Sequence, residues 1–537
     1  MMPSFNLIDE PWIPCLEADG RPSTLSIRET LVRAHELREA TEPSPLVYAA
    51  LHRLLLAVLH RNFGPASLQE WVELWGRGRW DEPAVNVYLD RWADRFDLFD
   101  EGRPFYQVRK MSDASAQPVA KLALELSGGN NATLFDHSFD DSGVAMEPAR
   151  AARYLLACQA YSIGFGRSNP FYLKDAPLTR GYTVLVQGAS LFETLMLNLV
   201  VYDAERPIPS NGQDAPWWEQ DQPALPDAEG TVPLGYLDYL TWQSRRIHLV
   251  PEDDPPMVRQ CQIQQNLRLA EGVLDPFKSY SRDAESGYVP RGLRVGRSAW
   301  RDSHALFENQ SASGKRPDVF EWLAQVERLR AAGRLQLAQR YTFGLYGFAT
   351  ERGKAASVVL WRLERLPLPL VYLNDKDLRD ALERALKLTE DVRNVLSSSM
   401  RVLAEFLIVP ELDIGGRKPF PDDVTRLVNG MGVDRHYWSR LDTSFRQLLV
   451  ELADDRHPDP DEPDEIIYGS LVLPRWADTV VRAARESAAE AINGIGTTAR
   501  CLKAAAVAER VLKAGLRRTR KEYLEALGDR QPLGGEE

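Results

Sequence analysis

Apolar residues recur at helical spacing through 44–63, SPLVYAALHRLLLAVLHRNF, so this stretch reads as a helix. Three later runs change character. YTVLVQG (182–188), SVVLWRL (357–363) and LPLVYL (368–373) are rich in β-branched and bulky residues and read as strands. Long connections containing Gly and Pro separate them, and such mixing predicts an α+β domain with functional loops over 1–373. From Asn374 the pattern turns helical almost throughout, starting with DKDLRDALERALKLTEDVRNVLSSSMRVLAEFLI. Further helices are expected near 435–453, 473–493 and 497–528. Four helices with loops between them predict a C-terminal four-helix bundle over 374–537.

The last of these helices carries two stripes. Cys501, Ala505, Ala508, Leu512, Leu516 and Tyr523 make an apolar one; Lys503, Arg510, Arg517 and Lys521 make a basic one on another face. A charged stripe is ordinarily a solvated face. Four basic positions along about 27 Å of helix, at about 1.5 Å per residue, also suit the track of a nucleic-acid backbone.

Composition adds limits. A chain of 537 residues implies two or three domains, and 44% hydrophobic with 26% charged residues is an ordinary soluble balance. The opening MMPSFNLIDEPWIP lacks the basic-then-apolar order of a signal peptide. Nowhere do about eighteen uncharged apolar residues run together, so no membrane span is expected. Cys15, Cys158, Cys261 and Cys501 are widely spaced, which argues against a zinc site or disulfide framework and fits a reducing cytoplasm. A net charge of −12 argues against coating nucleic acid through an overall field, while leaving room for local basic patches. Much of the acid lies in Pro- and Asp-rich stretches at 209–229, the following PEDDPP, and 452–465, which read as solvated loops.

Three loops combine small residues with polar donors. LSGGNNATLFDH (126–137) and YSIGFGRSNPFYLK (161–174) are two; in the second, Arg167, Ser168, Asn169 and Lys174 are candidate donors to phosphate. The third is GFATERGKA (347–355), which looks like a phosphate-binding loop. That motif needs four residues before its Gly-Lys pair and then Ser or Thr. Here five intervene, Ala355 follows Lys354, and a strand rather than a helix comes next. Tight turns with polar tips explain any one such loop; a shared role requires that they converge in space.

Enzymatic constellations are scarce: H-E-x-x-H, G-x-S-x-G and metal-spaced Cys/His pairs do not occur. His137 beside Asp136, Asp140 and Asp141, and His457 among acids, read as exposed polar loops. Asp97, Asp100 and Glu101 resemble a carboxylate pair with no substrate in view. No catalytic residue, cofactor or metal ligand is assigned.

The order of landmarks then carries a resemblance. FNLIDEPWIPC, RPFYQV, SGGNNATLF, the glycine loop, RGYTVLV and a terminal helical region resemble the CasA family, the large subunit of the type I-E CRISPR Cascade surveillance complex. The resemblance spans essentially the whole chain, the middle third by order more than by letters. It implies a non-catalytic subunit that recognises the short motif beside the target in duplex DNA and starts strand separation, while guide RNA reads the rest by pairing. By this resemblance Gly164, Phe165, Gly166, Arg167 and Ser168 form the DNA-contacting glycine loop, and Lys278 matches the lysine finger. The 347–355 loop falls on the strand-parting wedge, placing Lys354, Ala355 and Ala356 there after Arg352 and Gly353, without the Gln of many relatives. Ser127, Gly128, Gly129, Asn130, Asn131, Thr133 and Phe135 match the loop that docks on guide RNA and a neighbouring subunit. The C-terminal helices would contact DNA beyond the motif, the small bundle subunit and a recruited helicase-nuclease. Some relatives have a cysteine cluster where Cys261 stands alone, so no zinc is expected. A protein-binding scaffold without DNA readout, and a nucleotide-binding enzyme using 347–355, are the alternatives.

Overall fold

The computed structural model describes residues 3–125, 144–164, 172, 174–210, 212–221, 225–252, 256–308, 314–350, 358–409, 419–458 and 466–528. The chain divides into two compact units. The first comprises Met1–Ala299 and Ala305–Leu366, the second Trp300–His304 and Pro367–Glu537.

The first unit is built around the helix Pro45–Phe63. Ser44 caps it by accepting from Val47 N, and Pro45 suits the first turn because its missing N–H has no helical partner there. Nearly every side chain of this helix is buried, which is why its sequence is apolar around most of its circumference rather than along one stripe. It packs on the helices Pro148–Tyr161 and Tyr236–Leu240. The charge of Arg53 is held inside by Asp275, 3.2 Å away, and by the Leu240 carbonyl.

Small antiparallel sheets surround this centre. In one, Ile13–Glu17 lies between Pro22–Leu25 and Leu37–Ala40. In another, Met257–Gln265 lies between Gln117–Pro118 and Arg245–Glu252. A third sheet has Arg340–Thr350 at its centre, flanked by Thr183–Gln187 and Val358–Pro369. The strand expected over 368–373 is corrected: the extended chain ends at Pro369, and Leu370–Leu373 turns into a 3-10 helix whose Leu370, Tyr372 and Leu373 are buried.

The stretch FNLIDEPWIPC proves to be a fold-forming segment. Leu7, Ile8, Trp12, Ile13 and Cys15 are fully buried, Trp12 Nε1 donates to Leu7 O, and Asn6 ties the segment to Ala93 O. Asp97 accepts from Phe5 N and Phe99 N, and Asp100 accepts from Gly102 N and Arg103 N. These carboxylates organise turns, which is what Asp does well in such loops.

The second unit is helical, with Lys376–Ile408, Pro421–Gly430, Val433–Asp454, Val472–Gly494 and Ala499–Gly528, and a small hairpin of Arg456–Pro458 with Ile466–Tyr468. The sequence reading anticipated four helices; Pro421–Gly430, with only Val424 buried, makes a fifth among the described residues. Asp375 caps the longest helix by accepting from Leu378 N, and buried positions such as Leu378, Leu382, Ala385, Thr389, Val392, Leu396, Ser399 and Leu403 run down one stripe. The last helix lies close against it. A Cβ on Gly515 would stand 2.5 Å from Val395 Cγ1, so any larger residue there would force Val395 or the helix to shift, and Ser399 Oγ donates to Ala508 O.

Candidate nucleic-acid interface

The segment 161–183 connects the helix Pro148–Tyr161 to the sheet strand Thr183–Gln187, so the glycine loop starts at a helix end and finishes at a sheet end. The register pairs Thr183 with Tyr346 and Gln187 with Thr342. The start of Thr183–Gln187 therefore lies at the same end of the sheet as the C-terminal end of Arg340–Thr350, where 351–357 begin. Gly181 and Gly347 make this approach possible. A Cβ on Gly347 would sit 3.0 Å from Gly181 O, and one on Gly181, with φ +84°, would sit 2.8 Å from Pro290 Cβ. Side chains reinforce the junction: Tyr161 Oη donates to Thr183 Oγ1, and the rings of Tyr161 and Phe348 lie 6.3 Å apart.

Two buried cations are bonded to the described stems of the segment 161–183. Arg245 is 2% exposed and donates from Nη2 toward the carbonyls of Ser162, Ile163 and Lys174, at 3.1, 2.9 and 3.0 Å. Burial pushes its guanidinium down to about 10, still charged at neutral pH. Lys278 is 4% exposed, and its Nζ donates to Pro177 O and Arg180 O at 2.7 and 2.6 Å. This corrects the expectation of a lysine finger at 278. The amino group is committed to two backbone carbonyls of the stem that leads to Thr183, and burial pushes it down to about 8. Asp175 completes the base, accepting from Gly164 N at 2.8 Å and pairing with Arg180 at 2.5 Å.

Sequence reading missed Arg245 and Asp175. The signal for Arg245 was there: in the strand Arg245–Glu252 positions 245, 247 and 249 alternate inward, so an arginine occupies a core-facing register.

Of the other expected site residues, Gly164 stands at the loop stem, with Phe165, Gly166, Arg167 and Ser168 outside the described residues. Arg352, Gly353, Lys354, Ala355 and Ala356 also lie outside them, as do Ser127, Gly128, Gly129, Asn130, Asn131, Thr133 and Phe135, and His137 with its neighbouring aspartates. On the last helix Lys503, Arg510, Arg517 and Lys521 are all exposed, with Lys521 3.5 Å from Glu525. Cys15, Cys158 and Cys261 are buried thiols, and burial pushes Cys15 up to about 12, a poor nucleophile or ligand. His457 pairs with Asp455 at 2.9 Å. Among the described residues no helix is long and apolar enough to cross a membrane.

A model of the family described as CRISPR-associated protein Cse1 matches residues 6–487. The curated CRISPR-associated protein CasA/Cse1 of Thermus thermophilus is 36% identical over 517 residues, covering 94% of this chain and 96% of that one. The crystal structure of Thermus thermophilus CasA superposes with a TM-score of 0.78 at 32% identity, covering 96% of this chain and 99% of that one. The crystal structure of Cse1 from Acidimicrobium ferrooxidans gives 0.80 at 25%, covering 97% and 99%. A chain of a CRISPR RNA-guided surveillance complex shares the fold, with a TM-score of 0.71 at 21% identity over 96% and 99%. The chain belongs to the CasA/Cse1 family of CRISPR-associated proteins.

Proposed function

We propose that this chain is the large, non-catalytic subunit of a type I-E CRISPR RNA-guided surveillance complex. In this reading it recognises the short motif beside the target in duplex DNA, opens the first base pairs for guide-RNA pairing and helps recruit a helicase-nuclease. The observation that carries the reading is the convergence of two loop stems. The segment 161–183, which carries the glycine loop, leaves a helix end and enters Thr183–Gln187 at the same end of one three-stranded sheet at which Arg340–Thr350 runs out into 351–357, in a chain of the CasA/Cse1 family.

The chemistry suits the task. A minor-groove reader needs backbone atoms and small residues that approach closely, because the groove offers a degenerate pattern. Gly164 and Gly166 allow such an approach, while Arg167 and Ser168 donate to phosphates. Arg352, Gly353, Lys354, Ala355 and Ala356 obstruct the duplex by bulk and neutralise phosphate through Lys354. Parting a step costs on the order of a few kcal/mol, so other contacts must offset it. Residues 127–135 dock on guide RNA and a neighbouring subunit, and the exposed Lys503, Arg510, Arg517 and Lys521 follow DNA beyond the motif.

The test is target-duplex affinity of the reconstituted guide-RNA complex with and without this chain, across motif variants at one fixed salt concentration. The chain is expected to confer motif dependence, with single base changes costing about 1–3 kcal/mol. Lys354→Ala and Gly166→Asp should weaken it. Equal affinity for every motif would leave a scaffold role instead.

A further inference from the structure

We propose that Arg245 and Asp175 are positioning residues that set the glycine loop for motif reading: Arg245 ties the two stems of the loop together from inside, and Asp175 fixes its first amide. The proposal rests on the reading of 164–168 as a DNA-contacting loop.

The geometry assigns Arg245 a task that ordinary core packing does not need. Its Nη2 reaches carbonyls on both sides of the loop, Ser162 and Ile163 before it and Lys174 after it. Its Nη1 donates to Ser244 O, and its backbone is locked by Gln159, which accepts from Arg245 N and donates to Arg245 O. The rigid guanidinium holds Nη2 on the three stem carbonyls while Nη1 is anchored on Ser244 O; a lysine ammonium can also serve several carbonyls, but it lacks this second, fixed anchor and swings on a flexible stem. The stems receive further bonds of the same kind. Thr179 Oγ1 and Ala176 N donate to Ser162 O, and Leu178 N donates to Ala160 O. Asp175 Oδ1 takes the Gly164 N–H while its other oxygen pairs with Arg180. Backbone recognition in a groove demands this kind of support, because a loop that reads with its main chain has no long side chain to absorb a displacement.

The experiment uses the reconstituted guide-RNA complex and two duplexes, one with the preferred motif and one with it scrambled. Gly166→Asp reports on the loop reading itself. Arg245→Lys keeps the charge and removes the fork. Asp175→Ala and Asp175→Asn both remove the carboxylate charge, but only Asn keeps an oxygen for Gly164 N. Hydrogen exchange across 160–176 in the free chain and the melting temperature are followed alongside. We expect Gly166→Asp to abolish motif preference, and Arg245→Lys and Asp175→Ala to cut it about tenfold, within the range of one mis-read base pair. Asp175→Asn should restore most of it, and exchange should quicken across 160–176 in step. Should Arg245→Lys fail to assemble, the Asp175 pair of variants decides. If Gly166→Asp abolishes motif preference while Asp175→Ala matches Asp175→Asn and wild type, the positioning role is overturned and the loop reading stands. If Gly166→Asp leaves motif preference intact, the loop reading fails, and the positioning role falls with it.

Discussion

The ring of Trp300 stacks on Phe445 with centroids 4.3 Å apart and planes 19° apart, although the two residues come from distant parts of the sequence. Trp300 Nε1 donates to Asp442, and the neighbouring Arg301 lies 3.5 Å over the Trp438 ring while pairing with Glu390 at 2.6 Å. The segment Trp300–His304 is thus part of the helical unit. Trp300→Ala is expected to destabilise that unit by about 3–5 kcal/mol, the usual cost of emptying a buried aromatic site. Trp300→Phe should recover part of this, since it keeps the stack and loses the hydrogen bond. Thermal unfolding followed by far-UV circular dichroism reads both.

Glu125 gives a pH prediction. Burial, with a smaller push from Glu42, raises its carboxyl from 4.5 to about 7, and it hydrogen-bonds Ser44 Oγ at the start of the central helix. Between pH 4.5 and 7 the folded chain holds a proton that the unfolded chain has released. This contribution is complete below 4.5 and is lost as pH rises through 7, by on the order of 3 kcal/mol. Glu125→Gln should flatten this part of the stability profile. A melting-temperature difference between about pH 5 and about pH 7.5 as large as in wild type would contradict it.

Lys278 works in the opposite sense. Its folded value of about 8 lies below the ordinary 10.5, so between these values the unfolded chain binds more protons and stability rises with pH. Lys278→Met should remove that rise. It should also lower stability at neutral pH, because the carbonyls of Pro177 and Arg180 lose their donor, at about 1–3 kcal/mol for each buried group left unpaired. Denaturant titrations at about pH 7 and about pH 9.5 separate the two effects.

The last-helix stripe makes a prediction about salt. In the assembled complex, Arg510→Ala and Arg517→Ala are each expected to reduce the slope of log affinity against log salt by about 0.9 for duplex and about 0.7 for single strands. Motif preference should not change, since phosphate contacts carry no sequence information. An unaltered slope would return the stripe to a solvated face.

Local sequence settled those elements whose residues all face the same choice. The helices Val433–Asp454, Val472–Gly494 and Ala499–Gly528 follow from apolar periodicity, and Thr183–Gln187 from β-branched residues. Glycine, asparagine and proline made 126–137, 161–174 and 347–355 legible as candidate loops, although Gly347–Thr350 belongs to the strand Arg340–Thr350 and most of the other positions lie outside the described residues. Their shared location was not legible. That Gly181 meets Gly347, that Arg245 joins both stems of the glycine loop, and that Lys278 turns inward are consequences of strands pairing across long separations. Burial works the same way. A lysine or arginine reads as surface in a string of letters, and only the fold decides whether its charge meets water or a cluster of carbonyls. Trp300 shows the same limit, since its partners Asp442 and Phe445 lie far along the chain. Periodicity is a property of neighbours in sequence and fixes secondary structure; position and charge environment belong to neighbours in space, which the tertiary structure alone brings together.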